Sequence, residues 1–156
     1  MKLHLVCDTS GSMGDGGKSF ITRTLVLAIA HWAQGGHGSW QLSLCRWADE
    51  ACAVPAWQPL DEFPEALLAC HGGSSCAALI RFFGPAPEGK ILLFSDGFWP
   101  PGDLQRLRRW QEGLPPDTLR IIQIGADDKP QVKGLNAFAP EAVFAALDGW
   151  LQGGPP

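Results

Sequence analysis

Apolar residues in this chain fall into short runs that alternate with longer helical stretches. Leu3 to Cys7 is a compact apolar run ending at Asp8, which predicts a strand. Phe20 to Gln34 is apolar on nearly all sides and predicts a helix buried against a sheet and its neighbours. Gly35 to Gly38 breaks that helix. Trp40 to Trp47 then sets Trp40, Leu42 and Leu44 against Gln41 and Ser43, and Ala51 to Val54 follows the polar Asp49-Glu50 turn, so these two segments predict a hairpin. Pro55, Pro59 and Pro64 punctuate an irregular stretch. Beyond it, Glu65 to Cys70 and Cys76 to Phe83 predict two short helices separated by Gly72-Gly73-Ser74-Ser75. Ile91 to Phe94, an unbroken apolar run, suits a central strand covered on both faces. Asp103 predicts the N-cap of a helix whose inward face is Leu104, Leu107 and Trp110 or Gln111. Leu119 to Ile124 reads as a further strand, and Pro140 to Leu151 as a closing helix with a Val143, Phe144, Leu147, Trp150, Leu151 stripe.

Strands separated by helices predict an α/β fold: a doubly wound, mostly parallel sheet with one antiparallel edge strand and helices on both faces. With 156 residues there is room for one ordinary domain, expected over residues 1–151, with 152–156 as a short flexible tail. The net charge of -4 removes the broad basic footprint that binding to a phosphate backbone requires, so nucleic acid is not expected as a partner. The longest uninterrupted helical apolar window, Leu25 to Ala33, is too short to span a bilayer and contains His31, so no membrane partner is expected either. The first apolar stretch is broken by His4 and is too short for a signal-peptide core. The five cysteines, Cys7, Cys45, Cys52, Cys70 and Cys76, are odd in number and form no Cys-x-x-Cys pair. Together these features predict reduced thiols and a cytoplasmic location.

In open α/β sheets ligands bind beyond the carboxyl ends of the strands. Directly after the first predicted strand stands Asp8-Thr9-Ser10-Gly11-Ser12. Alternate residues of a turning segment project to one side, so a carboxylate and two hydroxyls can converge, with Gly11 giving the backbone freedom between them. Such hard oxygen donors suit Mg²⁺ or Mn²⁺, and Mg²⁺ keeps several waters, so few protein oxygens suffice. A second strand-end carboxylate, Asp96, follows Leu92-Leu93-Phe94-Ser95. With the two strands side by side, Asp8 and Asp96 would face each other across one crevice, and a cation between them would relieve their repulsion. Taken singly, each of these turns has an ordinary structural explanation; it is their joint position at the ligand-binding edge that points to a site.

The run Leu5-Val6-Cys7-Asp8-Thr9-Ser10-Gly11-Ser12-Met13, the later Gly72-Gly73-Ser74, and Leu92-Leu93-Phe94-Ser95-Asp96-Gly97 together resemble the von Willebrand factor type A family in order and spacing. The resemblance implies a metal-ion-dependent adhesion site at the top of the sheet. Asp8, Ser10 and Ser12 would be its first-loop ligands, Ser74 a ligand from the Gly-Gly loop, and Asp96 a ligand acting directly or through a water. The family usually has Thr where this chain has Ser74, with Ser75 beside it, so the loop ligand is Ser74 or Ser75, and the other role open to Ser74 is capping the following helix. The resemblance further implies a binding module rather than an enzyme, with a protein partner that supplies a Glu or Asp to the metal; an AAA+ ATPase or a multiprotein assembly is the kind of partner that members without secretion signals serve.

Two other readings compete. Ser12-Met13-Gly14-Asp15-Gly16-Gly17-Lys18-Ser19 nearly fits the phosphate-cradling loop of nucleotide-binding proteins, though Ser12 replaces its first glycine and Asp8 would repel incoming phosphates. A scaffold domain with a weak metal site is the other. Lys18 is expected as a solvated residue opening the buried helix. Trp99, stiffened by Pro100-Pro101, is either a partner anchor or core, His71 could rim the site, and Arg106, Arg108 and Arg109 are expected on a solvated helix face. No spacing supports a Ser-His-Asp or Cys-His catalytic arrangement.

Overall fold

The computed structural model describes residues 1–35, 40–125 and 135–151. Six strands form a single sheet: β1 (Lys2–Asp8), β2 (Gln41–Trp47), β3 (Ala51–Ala53), β4 (Lys90–Ser95), β5 (Leu119–Gln123) and β6 (Ala137–Phe138). Their order across the sheet is β3-β2-β1-β4-β5-β6. All neighbours run parallel except β2 and β3, which form the predicted hairpin with Trp47 opposite Ala51. The α/β architecture, mostly parallel with one antiparallel edge strand, is therefore as expected. Strand β6, with only two residues, carries no apolar pattern that would have predicted it.

Alternation along the strands divides the core between the two faces of the sheet. Leu3, Leu5 and Cys7 of β1 join Leu92 and Phe94 of β4 and Ile122 of β5 on one face. There they meet α1 (Lys18–Gln34) through Val26, Ile29 and Ala30, and α4 (Val143–Leu147) through Val143, Ala146 and Leu147. Val6, Ile91, Leu93, Leu119 and Ile121 point the other way, onto Cys76 and Leu79 of α2 (Cys76–Phe83) and Leu107 and Trp110 of α3 (Pro101–Gly113). Because β1 and β4 are buried on both faces, they read as continuous apolar runs rather than alternating ones.

Several predicted boundaries are corrected. Helix α1 is not buried all round: its inner face is Ser19, Thr22, Val26, Ile29 and Ala30, while Phe20 and Ile21 are exposed. Asp103 does not cap α3. The helix starts earlier, at Pro101, because proline's fixed φ and missing N–H suit the first helical position, and Asp103 lies in the first turn. Glu65 to Cys70 is reduced to a single 3-10 turn at Glu65–Leu67, since the interval between Pro64 and Gly72 leaves little room to propagate a helix. The closing helix is likewise a 3-10 turn at Pro140–Ala142 followed by α4, which stops ahead of Gly149 at φ 71°. The predicted stripe Val143, Leu147, Trp150 and Leu151 is buried, but Phe144 is exposed. The tail expected at 152–156 and most of the break expected at Gly35 to Gly38 lie outside the described residues. No helix among the described residues is long and apolar enough to cross a membrane.

Candidate functional site

The chain leaves β1 toward one side of the sheet, through α1 to β2, and reaches β4 from α2 on the other side. The carboxyl ends of β1 and β4 are thus the point where the connections diverge. Three loops meet there. The segment after β1 is tied to the Gly-Gly loop by hydrogen bonds from Gly11 N to Gly72 O at 2.9 Å and from His71 N to Thr9 O at 3.0 Å. Thr9 N donates to Trp47 O at 2.7 Å and Ser75 N to Ala48 O at 2.8 Å, which bind both loops to the end of β2. Asp49, in the hairpin turn, accepts from Gly73 N at 3.1 Å. Gly72 sits at φ 80°, and a Cβ there would collide with the Asp49 carboxylate, so this turn admits only glycine.

The loops border an open pocket of about 430 Å³ lined by Ser10, Ser12, Ser74 and Ser75 among the predicted residues, together with Phe98 and Asp103. Ser10 Oγ and Ser12 Oγ lie 3.5 Å apart. The structure separates the two serines that the sequence left open: Ser75 Oγ accepts from Ala78 N at 3.2 Å and is the N-cap of α2. Ser74 therefore does not cap the helix; both serines line the pocket, and the Oγ of Ser75 is the one engaged as a cap.

Asp8 and Asp96 are each 2% exposed and are not among the residues lining the pocket. Asp8 Oδ1 accepts from Ser10 N at 2.9 Å and Oδ2 accepts from Ser95 Oγ at 2.6 Å. Burial pushes the Asp8 carboxyl above its ordinary pKa; the hydrogen bonds from Ser10 and Ser95 pull it back, and the nearby charge of Asp96 adds to the upward push. The two carboxylates stand at the ends of neighbouring strands, offset by one residue. Cys7 is in register with Phe94, which puts Ser95, not Asp96, opposite Asp8. Asp96 lies one residue further on, where its Oδ1 accepts from Phe98 N at 3.0 Å and its Oδ2 from Lys18 Nζ at 3.1 Å.

Lys18 is accordingly not the solvated residue expected at the start of α1. Its side chain is 18% exposed and reaches back across the sheet edge to Asp96 and to Ser12 O at 3.4 Å. A signal for this was present in the sequence: a lysine at the first position of a helix faces the positive end of the helix dipole and calls for a compensating carboxylate. The same contact bears on the phosphate-loop reading, since the lysine that such a loop would offer to a nucleotide is paired with a carboxylate. Ser95, Asp49 and Phe98 also belong to the site without having been singled out. Which strands are neighbours, and in what register, decides their place, and neither is written in local periodicity.

The remaining expectations resolve simply. Trp99 is core: it is 4% exposed and its ring lies 6.1 Å from that of Trp47. Phe98, beside it, is the exposed aromatic residue at the pocket. His71 is exposed and does not line the pocket. Arg106, Arg108 and Arg109 lie on the exposed face of α3, Arg106 standing 4.0 Å from Asp103. Among the described residues no group of three or more His, Cys, Asp or Glu gathers in metal-holding fashion, so any metal here would depend on serine hydroxyls.

A doubly wound sheet with a hydroxyl-lined pocket at its switch point defines an α/β protein of the open-sheet class. Comparison with solved structures specifies the fold as that of the von Willebrand factor type A domain. The chain is similar to a von Willebrand factor type A protein from Catenulispora acidiphila, with a TM-score of 0.56 and 16% identity over 91% of this chain and 39% of that one. It is similar to the ArnB paralog VWA2 from Sulfolobus acidocaldarius, with a TM-score of 0.56 and 13% identity over 92% of this chain and 42% of that one. Proximal thread matrix protein 1 from the mussel byssus matches with a TM-score of 0.54 and 15% identity, over 97% of this chain and 46% of that one. The likeness is one of fold, and the chain spans less than half the length of each of these proteins. No protein-family model and no curated protein matches the sequence.

Proposed function

We propose that this domain is a metal-dependent binding module that holds Mg²⁺ or Mn²⁺ in the pocket between the ends of β1 and β4 and uses it to capture a Glu or Asp side chain of a partner protein. The observation that carries this reading is the convergence of Ser10, Ser12 and Ser74 on one pocket beside the buried carboxylates Asp8 and Asp96. The donor set fits the group: all of its atoms are hard oxygens, which suit Mg²⁺ or Mn²⁺ rather than a soft metal. Asp8, Ser10, Ser12 and Ser74 would hold the ion, and Asp96, whose Oδ2 is already paired with the Lys18 ammonium, would act through a water. The bound ion supplies a Lewis-acidic position for an anionic oxygen.

The chain's own residues do the rest. Ser95 and the Ser10 amide fix the orientation of Asp8, so that its carboxylate does not have to be ordered when the ion arrives. Asp49 holds the Gly72-Gly73 turn and thereby the height of Ser74. Phe98 and Pro100 give the rim an apolar surface against which the flank of a docked segment can pack. This is the work of an interaction module and requires no chemistry on the partner. The five cysteines are all free, which supports a reducing, cytoplasmic setting.

Thermal melting and calorimetric titration with Mn²⁺ test the reading. Mn²⁺ should raise the melting temperature, EDTA should reverse the rise, and saturation to about 100-fold above Kd should add about 2.7 kcal/mol. Asp8→Ala and the milder Ser12→Ala should each abolish or weaken the effect. No binding of Mn²⁺ or Mg²⁺ by the folded wild-type protein overturns the proposal. A rise in melting temperature with ATP alone would favour the phosphate-loop reading instead.

A further inference from the structure

We infer that Lys18 is a built-in counter-charge that leaves the site short of negative charge, so that a divalent ion is held firmly only when an acidic group from outside completes it. This deepens the proposed metal-dependent reading and rests on it. The inference starts from how the two buried carboxylates are satisfied. Asp8 is held entirely by neutral donors, the Ser10 amide and the Ser95 hydroxyl. Asp96 is held by one neutral donor, the Phe98 amide, and by one full positive charge, the Lys18 ammonium at 3.1 Å. Asp8, Asp96 and Lys18 together therefore carry a single net negative charge, and a divalent ion placed among them leaves a net positive one.

The other acidic side chains at the pocket do not make up the difference. Asp49 accepts from Gly73 N and Asp103 stands beside Arg106. Asp49 is exposed, where water and salt weaken its reach, and the charge of Asp103 is offset by the Arg106 guanidinium beside it. The Lys18 contact lies deeper, against a carboxylate that is 2% exposed. The lysine side chain is only 18% exposed, Nζ also donates to Ser12 O, and a Cβ built on Gly125 would lie 3.3 Å from Lys18 Cε, so the stem runs past a turn that offers no side chain. An ammonium placed against the positive end of its own helix dipole is opposed there by the charge of Asp96.

Two consequences follow. The lysine weakens the hold on a bare cation by electrostatic repulsion, and it raises the attraction of the occupied site for a carboxylate. Metal and acidic ligand are then positively coupled, and by linkage each tightens the other by the same factor. The site would discriminate against neutral ligands through charge alone.

The test measures Mn²⁺ affinity by calorimetry for wild type, Lys18→Met and Lys18→Arg, with and without acetate as the carboxylate probe, after circular dichroism has verified folding. Lys18→Met should bind Mn²⁺ about 10–100-fold more tightly than wild type in the absence of acetate, the size of effect that groups next to a ligand shell commonly have. Lys18→Arg, which keeps the charge, should stay near wild type. Acetate should tighten Mn²⁺ binding to wild type by a larger factor than to Lys18→Met. The cycle is closed by Asp96→Asn and Asp96→Asn/Lys18→Met: the single variant should lose affinity, and the double should recover most of it. This second route keeps the inference falsifiable should Lys18→Met fail to fold. Equal Mn²⁺ affinity in folded wild type and Lys18→Met, with binding still lost in Ser12→Ala, overturns the role of Lys18 and leaves the metal site standing. Absence of Mn²⁺ binding from both overturns the metal reading and this inference with it.

Discussion

Ser95 Oγ donates to Asp8 Oδ2 at 2.6 Å, joining the ends of the two central strands through a hydrogen bond between fully buried side chains. The same hydroxyl accepts from Gly97 N at 3.1 Å, so one serine orients the carboxylate of β1 and also fixes the start of the loop that carries Asp96. Ser95→Ala should leave a buried carboxylate oxygen and a buried amide unsatisfied and cost about 1–3 kcal/mol in urea unfolding. The Asp8 carboxyl should move further above its ordinary value, because one of the hydrogen bonds that favours its charged form is gone. Mn²⁺ affinity should fall about 10–100-fold by calorimetry, as is usual when a ligand loses the partner that orients it.

Buried thiols should make the protein sensitive to alkali. Burial pushes Cys45 up to about 11 and Cys76 up to about 12, and it raises Cys7 further still. In the unfolded chain these thiols ionise above their ordinary value of about 8.5, whereas in the folded protein they keep their protons, so the folded state binds more protons and stability falls as pH rises. The slope is about 1.4 kcal/mol per pH unit for each thiol fully ionised in one state and protonated in the other. Lys90 works the other way, since burial lowers its pKa and the folded state releases that proton first. The chain has no tyrosine to add a further step in this range. Stability from urea unfolding should therefore decline as pH rises above about 8.5, and decline less steeply in Cys76→Ala.

Neighbouring aromatic residues should behave in opposite ways. Trp99 is 4% exposed and packed against Trp47, and Trp99→Ala should cost about 3–5 kcal/mol by creating a large cavity. Phe98 is 60% exposed, and Phe98→Ala should change stability by no more than about 0.5 kcal/mol. Melting temperatures of the two variants check this directly. A small effect at Trp99 would mean that its ring is not part of the core.

Much of the fold could be read from the order of residues because its causes are local. The runs Leu3 to Cys7 and Ile91 to Phe94 are apolar without alternation because each strand is covered on both faces, and this pattern survives whatever the neighbours are. Pro101 and Gly149, by contrast, set helix boundaries other than those that the Asp103 cap and the closing apolar stripe predict. Phe20 and Phe144 lie within apolar stretches yet face outward, since helical periodicity names a stripe but does not say how wide a surface the sheet will cover.

The site divides along the same line. Local spacing determined that Ser10 and Ser12 follow Asp8 at the end of one strand and that a second acidic residue ends another, because those relations span only a few residues of chain. Tertiary structure alone decided that Ser95 Oγ meets the Asp8 carboxylate, that Ser75 rather than Ser74 caps α2, and that Lys18 pairs with Asp96, 78 positions further along the chain. The physical reason is that strand register and the reach of a long side chain are set by packing between segments far apart in sequence, which no pattern within one segment records.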